Sequence, residues 1–189
     1  MNERKIRKMI MNSLPLISDR VMLRYIELSD AYDMYEYASI PEVSEYLLWS
    51  PHINLTSTEG YIEFLCQRYK KGLYADWALV LKETGKMIGT CGYASLDLKQ
   101  KEGEMGYVLS PYYRKKGYMT EAVDMLLNFS FEKIGLERIK LRIMSENADS
   151  IRLAEKFGFT KKEVTYMDVK DIEREIFHYE LLKEDYESK

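Results

Sequence analysis

The residues best suited to chemistry lie between 104 and 121, where a strand-like segment leads through a basic turn into a helix. The turn reads Arg114-Lys115-Lys116-Gly117-Tyr118-Met119-Thr120-Glu121. Such a turn leaves backbone N–H groups unpaired at the start of the helix, where the helix dipole adds partial positive charge. With three cationic side chains beside it, this arrangement suits a pyrophosphate. Taken alone, the turn fits a plain strand-to-helix connection with solvated basic residues equally well.

The sequence around the turn resembles the GNAT superfamily of N-acetyltransferases. Arg114-x-x-Gly117-x-Met119 is similar to the Arg/Gln-x-x-Gly-x-Gly/Ala pyrophosphate loop of that family, and Glu104–Leu109 looks like its fourth strand. Asn147-x-x-Ser150, which follows Leu136-Glu137-Arg138-Ile139 and precedes Glu155–Phe159, has the spacing of one branch. That branch is typified by ribosomal-protein N-terminal acetyltransferases (RimJ/RimL-like). With Ser18–Arg24 as a loose match to its first strand, the resemblance spans nearly the whole chain.

The resemblance implies an α+β (mixed α/β) fold with a mainly antiparallel, splayed central sheet flanked by helices. It implies acetyl-CoA as the acyl donor, with its pantetheine arm lying between two parted strands against the backbone of Tyr107, Val108 and Leu109. An N–H of Val108 or Leu109 would hold the negative charge that develops on the thioester oxygen, which is typically worth about 3–4 kcal/mol. The phosphates would bind Arg114, Lys115, Lys116, Gly117, Tyr118, Met119 and Thr120.

The implied reaction is direct attack of a free amine on acetyl-CoA in a ternary complex, which requires a group that accepts a proton. Glu104 is the first candidate for this base, because it begins the strand expected to meet the acetyl group. The alternative is an exposed charge at a strand end. A two-residue slip would transfer the role to Glu102.

Asn147 and Ser150 stand at a predicted helix start. Asparagine caps the N–H groups there, and in this branch it also bonds the cofactor, so both interpretations stay open. Ser150 is the candidate that protonates the leaving thiolate, or a helix-start residue without a catalytic role. Many GNAT members carry a tyrosine acid where Leu153 and Ala154 stand here. Either Ser150 or another tyrosine serves instead, or CoA leaves as the thiolate, because thiols are fairly acidic.

The acceptor pocket is expected to form from the early helices and the late hairpin. Its candidate residues are Tyr46, Trp49, His52 and Tyr93, with Tyr166 as a further one, and core packing is the alternative for these aromatic side chains. The expected acceptor is the α-amine of a protein or peptide N-terminus. A small amine (polyamine, aminoglycoside or amino acid derivative) is the alternative, for which Glu27–Asp33 and Glu42–Glu45 would supply an acidic cleft. A non-catalytic acyl-CoA-binding domain is the third hypothesis.

The elements that must position these residues follow from periodicity and from turn residues. Predicted helices cover Ser29–Ala38, Thr56–Lys71, Gly117–Ile134 and Asn147–Phe157. Predicted strands cover Val21–Ile26, Trp77–Leu81, Met87–Ser95, Glu104–Leu109, Arg138–Met144, Lys162–Met167 and Glu175–Leu182. Turns at Gly85 and at Gln100–Gly103 predict an antiparallel meander in the middle of the chain.

The composition fits a single enzyme domain over residues 1–189, with a basic N-terminal arm over 1–15. The net charge of −3 argues against general nucleic-acid binding. The local exception is Arg4, Lys5, Arg7 and Lys8, a solvated arm or helix face, with an RNA- or ribosome-contacting arm as the alternative.

The remaining signals exclude other classes of protein. Cys66 and Cys91 read as reduced core residues, and two distant histidines predict no metal site. No apolar run of transmembrane length and no signal peptide are apparent, so a cytoplasmic enzyme is expected, with a homodimer common for this kind of fold. The basic turn lacks the Gly-x-x-x-x-Gly-Lys-Ser/Thr pattern of a P-loop NTPase.

Overall fold

The computed structural model describes residues 3–71 and 76–187, and its strands form one eight-stranded sheet. The strands are β1 (Leu16–Ile17), β2 (Val21–Arg24), β3 (Asp76–Leu81), β4 (Met87–Asp97), β5 (Glu102–Leu109), β6 (Arg138–Met144), β7 (Thr160–Val169) and β8 (Ile172–Leu182). The helices are α1 (Glu3–Ser13), α2 (Ala31–Ala38), α3 (Pro41–Ser44), α4 (Leu55–Lys70), α5 (Tyr118–Asn128), α6 (Ala148–Lys156) and α7 (Lys183–Glu187). A π-helical segment, Phe129–Ile134, continues α5.

The predicted mixed α/β fold with a splayed, mainly antiparallel sheet is confirmed. The strand order is β1-β2-β3-β4-β5-β6-β8-β7, and each neighbouring pair is antiparallel except β5 and β6. These two parallel strands are paired only from Glu102–Arg138 to Glu104–Lys140. Beyond that point β5 stays with β4 as far as Leu109, while β6 stays with β8. The two strands therefore part and leave one side of β5 open.

Helices cover both faces of the sheet, because successive side chains of each strand point to opposite faces. On one face, Leu23 and Leu79 share a buried cluster with Leu126 of α5. On the other face, Val80 shares a cluster with Met34 of α2 and Ile62 of α4. Both clusters contribute to the lining of the opening beside β5, with Met119 of α5 from the first and Val43 of α3 from the second.

The basic N-terminal segment forms a helix and not an extended arm. Ile6 and Ile10, which are 9% and 3% exposed, join the cluster that includes α5. Their spacing of four residues puts both side chains on one face of α1. Of the interpretations of residues 3–13, the helix face is therefore the one found, with its apolar side docked on the domain.

The other elements lie close to their predicted positions. The strand over Arg138–Met144 has the predicted bounds, and the hairpin strands β7 and β8 are longer than predicted. The predicted helix over Gly117–Ile134 divides into α5 and the π-helical segment, and Gly135 ends it with φ of 79°. None of the helices in the described ranges is long and apolar enough to cross a membrane.

Candidate active site

A cavity of about 470 Å³ lies where β5 and β6 part. This volume is within the range typical of small-molecule sites. We call it the wedge cavity. Its lining consists of Glu42, Val43, Glu45, Tyr46, Leu47, Tyr107, Val108, Leu109, Arg114, Lys115, Met119, Asn147, Asp149, Ser150 and Leu153. The structure thus brings together the strand, loop and helix-start segments that the sequence predicted as a cofactor site.

The basic loop places part of its residues in this cavity. Arg114 and Lys115 line it, and Arg114 forms an ion pair with Glu42 of α3 across it. Met119 lines it too and is 8% exposed, so its side chain turns towards the core as expected. The other predicted loop residues, Lys116, Gly117, Tyr118 and Thr120, lie at the start of α5 outside the lining.

Gly117 gives the loop its shape. It is the N-cap of α5 and has φ of 83°, and Lys115 also has a positive φ, of 61°. Glycine adopts this left-handed conformation without the steric cost that a Cβ imposes. A Cβ on Gly117 would lie 3.2 Å from Nη2 of Arg20. The loop before α5 is therefore tight and has little room for a side chain at Gly117.

Contacts among Ser18, Arg20 and Glu121, which the sequence did not indicate, hold this loop. Glu121 accepts hydrogen bonds from Ser18 Oγ at 2.6 Å and from both the backbone N and the Nε of Arg20 at 2.8 Å. Arg20 Nη1 donates to the Lys116 carbonyl at 2.9 Å, and the Arg20 guanidinium lies over the ring of Tyr118. Burial alone would raise the pKa of Glu121, but these hydrogen bonds and the charge of Arg20 lower it.

Arg20→Ala is expected to weaken acetyl-CoA binding by about 10-fold, or about 1.4 kcal/mol, because the loop loses the bond to the Lys116 carbonyl. Isothermal titration calorimetry measures this affinity. Lys101→Ala removes a cationic side chain of similar exposure from an ion pair with Glu137, and it serves as the control with unchanged binding. An Arg20→Ala protein that binds like the wild type would show that the loop holds its shape without this clamp.

The backbone of β5 decides which N–H group reaches the opening. Ser110 N donates to the Ile88 carbonyl of β4 at 2.8 Å. Because hydrogen-bonding directions alternate along an antiparallel pair, the N–H of Val108 also points to β4, and those of Tyr107 and Leu109 point to the open side. This register favours Leu109 over Val108 as the donor to the thioester oxygen, and the role given to Val108 stays a prediction.

The helix-start residues form a hydrogen-bonded group at the wall of the wedge cavity. The Asn147 side chain accepts from Ser150 N at 3.1 Å, which is the capping interaction expected of it. Ser150 Oγ lies 2.8 Å from the hydroxyl of Tyr107. Burial raises the pKa of Tyr107 to about 12, against the opposing hydrogen bond with Ser150. A tyrosine thus stands beside Ser150, although α6 itself lacks one.

Glu104 does not lie in the site. Its Oε1 accepts from Arg142 Nε at 2.7 Å, and it lines neither this cavity nor the one described below. At a rise of about 3.3 Å per residue, it is roughly 13 Å along β5 from Val108. Glu102, the neighbouring alternative, is paired with Arg138 and Lys140. Both glutamate side chains join an ion-pair row on β5 and β6 and line neither cavity, so a base at either one stays a prediction without support from the geometry.

A second, smaller cavity of about 60 Å³ lies on the α2–α4 face of the sheet. We call it the aromatic pocket. Its lining consists of Met34, Tyr37, Ala38, Trp49, His52, Tyr61, Asp76, Thr90 and Val108. Val108 belongs to both linings, so both cavities border β5 at this residue.

Aromatic rings and one carboxylate define the aromatic pocket. The centroids of His52 and Trp49 are 5.4 Å apart, and those of His52 and Tyr61 are 6.0 Å apart. His52 Nδ1 lies 2.8 Å from Thr58 Oγ1, and burial lowers the pKa of His52. The hydroxyl of Tyr61 donates to Asp76 at 3.3 Å. Asp76 drew no notice in the sequence, where it reads as a polar residue before a strand.

The residues predicted to contact the acceptor lie in four different surroundings: the wedge cavity, the aromatic pocket, the core and the surface. Tyr46 lines the wedge cavity, and Trp49 and His52 line the aromatic pocket. Tyr93 is 1% exposed, its hydroxyl bonds to Ser130, and its ring packs edge-on against Trp77, so its prediction as an acceptor contact is wrong. Tyr166 is exposed on β7 and lines neither cavity.

Comparison with known proteins identifies the family. Residues 20–160 match the model of the acetyltransferase (GNAT) domain. N-acetyltransferase p20 of Bacillus licheniformis is 31% identical over 173 residues, which cover 90% of this chain and 97% of that protein. The chain therefore belongs to the GNAT family of acetyltransferases and has the N-acetyltransferase activity of that type.

Solved structures show the same fold. A GNAT-family acetyltransferase from Bacillus anthracis superposes with a TM-score of 0.80 at 22% identity, over 90% of this chain and 99% of that one. RimL, a ribosomal L7/L12 α-N-protein acetyltransferase, superposes with a TM-score of 0.78 at 14% identity, over 89% of this chain and 93% of that one. At these identities the likeness concerns the fold alone.

Proposed function

We propose that this enzyme transfers the acetyl group of acetyl-CoA to the α-amine of a protein or peptide N-terminus. The observation that carries the proposal is that Val108 lines both cavities. One cavity has the features of a donor site, and the other is an enclosed aromatic pocket. Direct transfer requires the acetyl group and the amine to be held next to each other, and β5 is the strand that both cavities border.

The donor side of the proposal is supported by the fit of the wedge cavity to acetyl-CoA. Arg114 and Lys115 supply positive charge beside the start of α5, which suits the phosphates. The unpaired backbone of Tyr107 and Leu109 suits an extended arm that bonds to a strand edge. Acetyl-CoA supplies a thioester that an amine can attack.

The residues of the chain would act on this reaction in two ways. The N–H of Leu109 would hold the thioester oxygen as negative charge develops on it. The hydroxyls of Ser150 and Tyr107, 2.8 Å apart, would return a proton to the sulfur that leaves. The raised pKa of Tyr107 keeps its proton in place at neutral pH until the thiolate forms.

A peptide acceptor is supported by the surface around the aromatic pocket. Leu48 and Ile53, which are 63% and 83% exposed, flank Trp49 and His52 in the same segment. Exposed apolar side chains beside a pocket mark places where a partner binds. The structural likeness to RimL, whose name describes α-N-acetylation of a protein, agrees with this choice.

A polyamine acceptor is the second candidate, and the charge of the wedge cavity favours it. Glu42, Glu45 and Asp149 all line this cavity. A substrate with several ammonium groups would gain from these carboxylates. Because Arg114 already pairs with Glu42, the negative charge is partly compensated, and we place this acceptor second.

A thiol-release assay with acetyl-CoA and a panel of amines tests the proposal. The expected result is release with tetrapeptides that begin with serine or alanine and have free N-termini, and little release with spermidine, an aminoglycoside or free amino acids. Release with spermidine alone would favour the second candidate. Tight acetyl-CoA binding without release for any amine would favour a binding domain, and no binding would contradict the donor site.

A further inference from the structure

Asp76 is an unusual residue for the position it occupies. It begins β3 at the floor of the aromatic pocket, among Tyr37, Tyr61 and Val108. Tyr61 donates to its carboxylate at 3.3 Å, and the hydroxyl of Tyr69 donates to its backbone carbonyl. Within residues 3–71 and 76–187, no lysine or arginine forms an ion pair with this carboxylate. Among the described residues, Tyr61 gives this carboxylate one long hydrogen bond, and a cationic ligand would supply a stronger, charge-assisted one.

The surroundings of Asp76 match what a cationic amine requires. Trp49, His52 and Tyr61 form an aromatic wall, and ring faces attract cations. Asp76 is the one carboxylate in the pocket lining. The pocket is small and borders Val108, so an amine bound in it would lie between Asp76 of β3 and the donor strand β5.

We propose that the aromatic pocket is the site for the acceptor's primary ammonium group, and that Asp76 binds this group and takes its proton. The inference rests on the proposed acetyl transfer and adds to it the residue that receives the amine. Asp76 thereby takes the place that the sequence had given to Glu104. Because Asp76 carries the only negative charge in the lining, it attracts the ammonium, which neutral His52 cannot do.

The transfer step balances with Asp76 as the base. One proton passes from the ammonium nitrogen to a carboxylate oxygen of Asp76, and this frees the nitrogen lone pair. The lone pair forms the C–N bond with the acetyl carbon, and the C–S bond breaks with its electron pair remaining on sulfur. Of the nitrogen's two remaining protons, one stays in the amide and the other leaves to solvent or to the thiolate, so no oxidant or metal is required.

The charge state of Asp76 gives the step a pH dependence. Burial raises the pKa of Asp76 to about 6, and the hydrogen bond from Tyr61 opposes that shift. A base must be deprotonated, so kcat/KM is expected to fall as the pH drops through about 6. The titratable groups around it are Tyr37, Tyr61, Tyr69, His52, Cys91 and Arg68. Of these, histidine has the ordinary pKa closest to this pH, and burial lowers the pKa of His52, so variants must separate the two residues.

Binding of n-butylammonium to the enzyme saturated with CoA tests the ammonium site without any chemistry. We expect Asp76→Asn to weaken this binding at least about 10-fold, as expected for the loss of a charge-assisted hydrogen bond. Binding of n-butanol, which has the same length and no charge, is expected to be unchanged. Failure of the wild type to bind n-butylammonium, or equal binding by Asp76→Asn, would overturn the proposal.

Turnover separates a base from a residue that merely supports the fold. With a serine-initiated tetrapeptide, Asp76→Asn is expected to lower kcat/KM by about 100-fold and to remove the fall near pH 6. Hydroxylamine is mostly neutral at pH 7 and needs no base before it attacks. With this acceptor, the kcat/KM of Asp76→Asn is expected to stay within a few-fold of the wild-type value. Loss of activity with both acceptors while acetyl-CoA binding is intact would contradict the base role.

Two further variants sharpen the test. Glu104→Gln is expected to behave as the wild type with both acceptors, because its carboxylate is paired with Arg142. If His52→Gln removed the fall of kcat/KM below about pH 6 and Asp76→Asn did not, the base would be His52 and the proposal would be overturned. Absence of acetyl transfer to every amine, with n-butylammonium binding lost only in Asp76→Asn, would support the ammonium site and count against the proposed function alone.

Discussion

Gly117→Asp is expected to abolish acetyl-CoA binding, with a loss of at least about 100-fold in affinity by isothermal titration calorimetry. Gly117 has φ of 83°, a conformation that costs a residue with a Cβ about 1–2 kcal/mol. The new Cβ would also lie 3.2 Å from Nη2 of Arg20, which holds the loop through the Lys116 carbonyl. The added carboxylate would then repel the phosphates at short range, or draw Arg20 away from its loop contact.

Two control variants separate the contributions to this loss. Gly117→Ala keeps the strain and the crowding without the charge, and we expect it to lose about 10-fold in affinity. Gly85→Asp adds the same side chain at φ of 72°, where a Cβ meets nothing within 4 Å, and we expect normal binding. If Gly117→Asp bound acetyl-CoA within a few-fold of wild type, the basic loop would not be the phosphate site.

The parts of the site that sequence could predict are the contiguous ones. Arg114 to Thr120 and Asn147 to Ser150 each form a local motif, in which spacing alone fixes the conformation. The positive φ of Gly117 and the cap between Asn147 and Ser150 are examples, because both depend on residues at most three apart. For the same reason the strand and helix positions could be predicted within a few residues.

The parts that failed depend on which face of a strand meets which helix. The alternation of side chains along a strand places neighbouring residues on opposite faces of the sheet, but it does not identify which helices cover each face. Tyr93 looked like a pocket residue, yet it packs against Trp77 and bonds to Ser130 on the α5 face. A register shift between Tyr93 and Ser95 then changes the pairing of β4 with β5 before Glu104 is reached. Glu104 pairs with Arg142 of β6 and lines neither cavity.

Asp76 and the Arg20–Glu121 clamp were missed because their meaning arises from distant contacts. Glu121 lies 101 residues from Arg20 in sequence, and no local pattern joins them. Asp76 gains its character from Tyr61 of α4 and from the cavity wall at Val108. A polar residue before a strand is ordinary in sequence, and only packing shows that its carboxylate is enclosed.

Replacement of the Leu109 backbone N–H by an ester oxygen is expected to lower kcat by about 100- to 1,000-fold, or about 2.7–4 kcal/mol. Incorporation of the α-hydroxy acid analogue of leucine makes this change and leaves the side chain as it is. The N–H of Leu109 points to the open side of β5, so the sheet loses no hydrogen bond. Pre-steady-state acetyl transfer measures the effect, with acetyl-CoA affinity as the companion measurement, expected to change less.

The same replacement at Val108 is the matched control, and it is expected to give the opposite pattern. The N–H of Val108 points to β4, so its loss is expected to cost about 1 kcal/mol of unfolding free energy and to leave kcat within a few-fold. A large loss of kcat at Val108 and none at Leu109 would contradict the register deduced from the bond between Ser110 and Ile88. Because a backbone donor requires no particular side chain, strand register, and not residue identity at 108 or 109, determines which group meets the substrate.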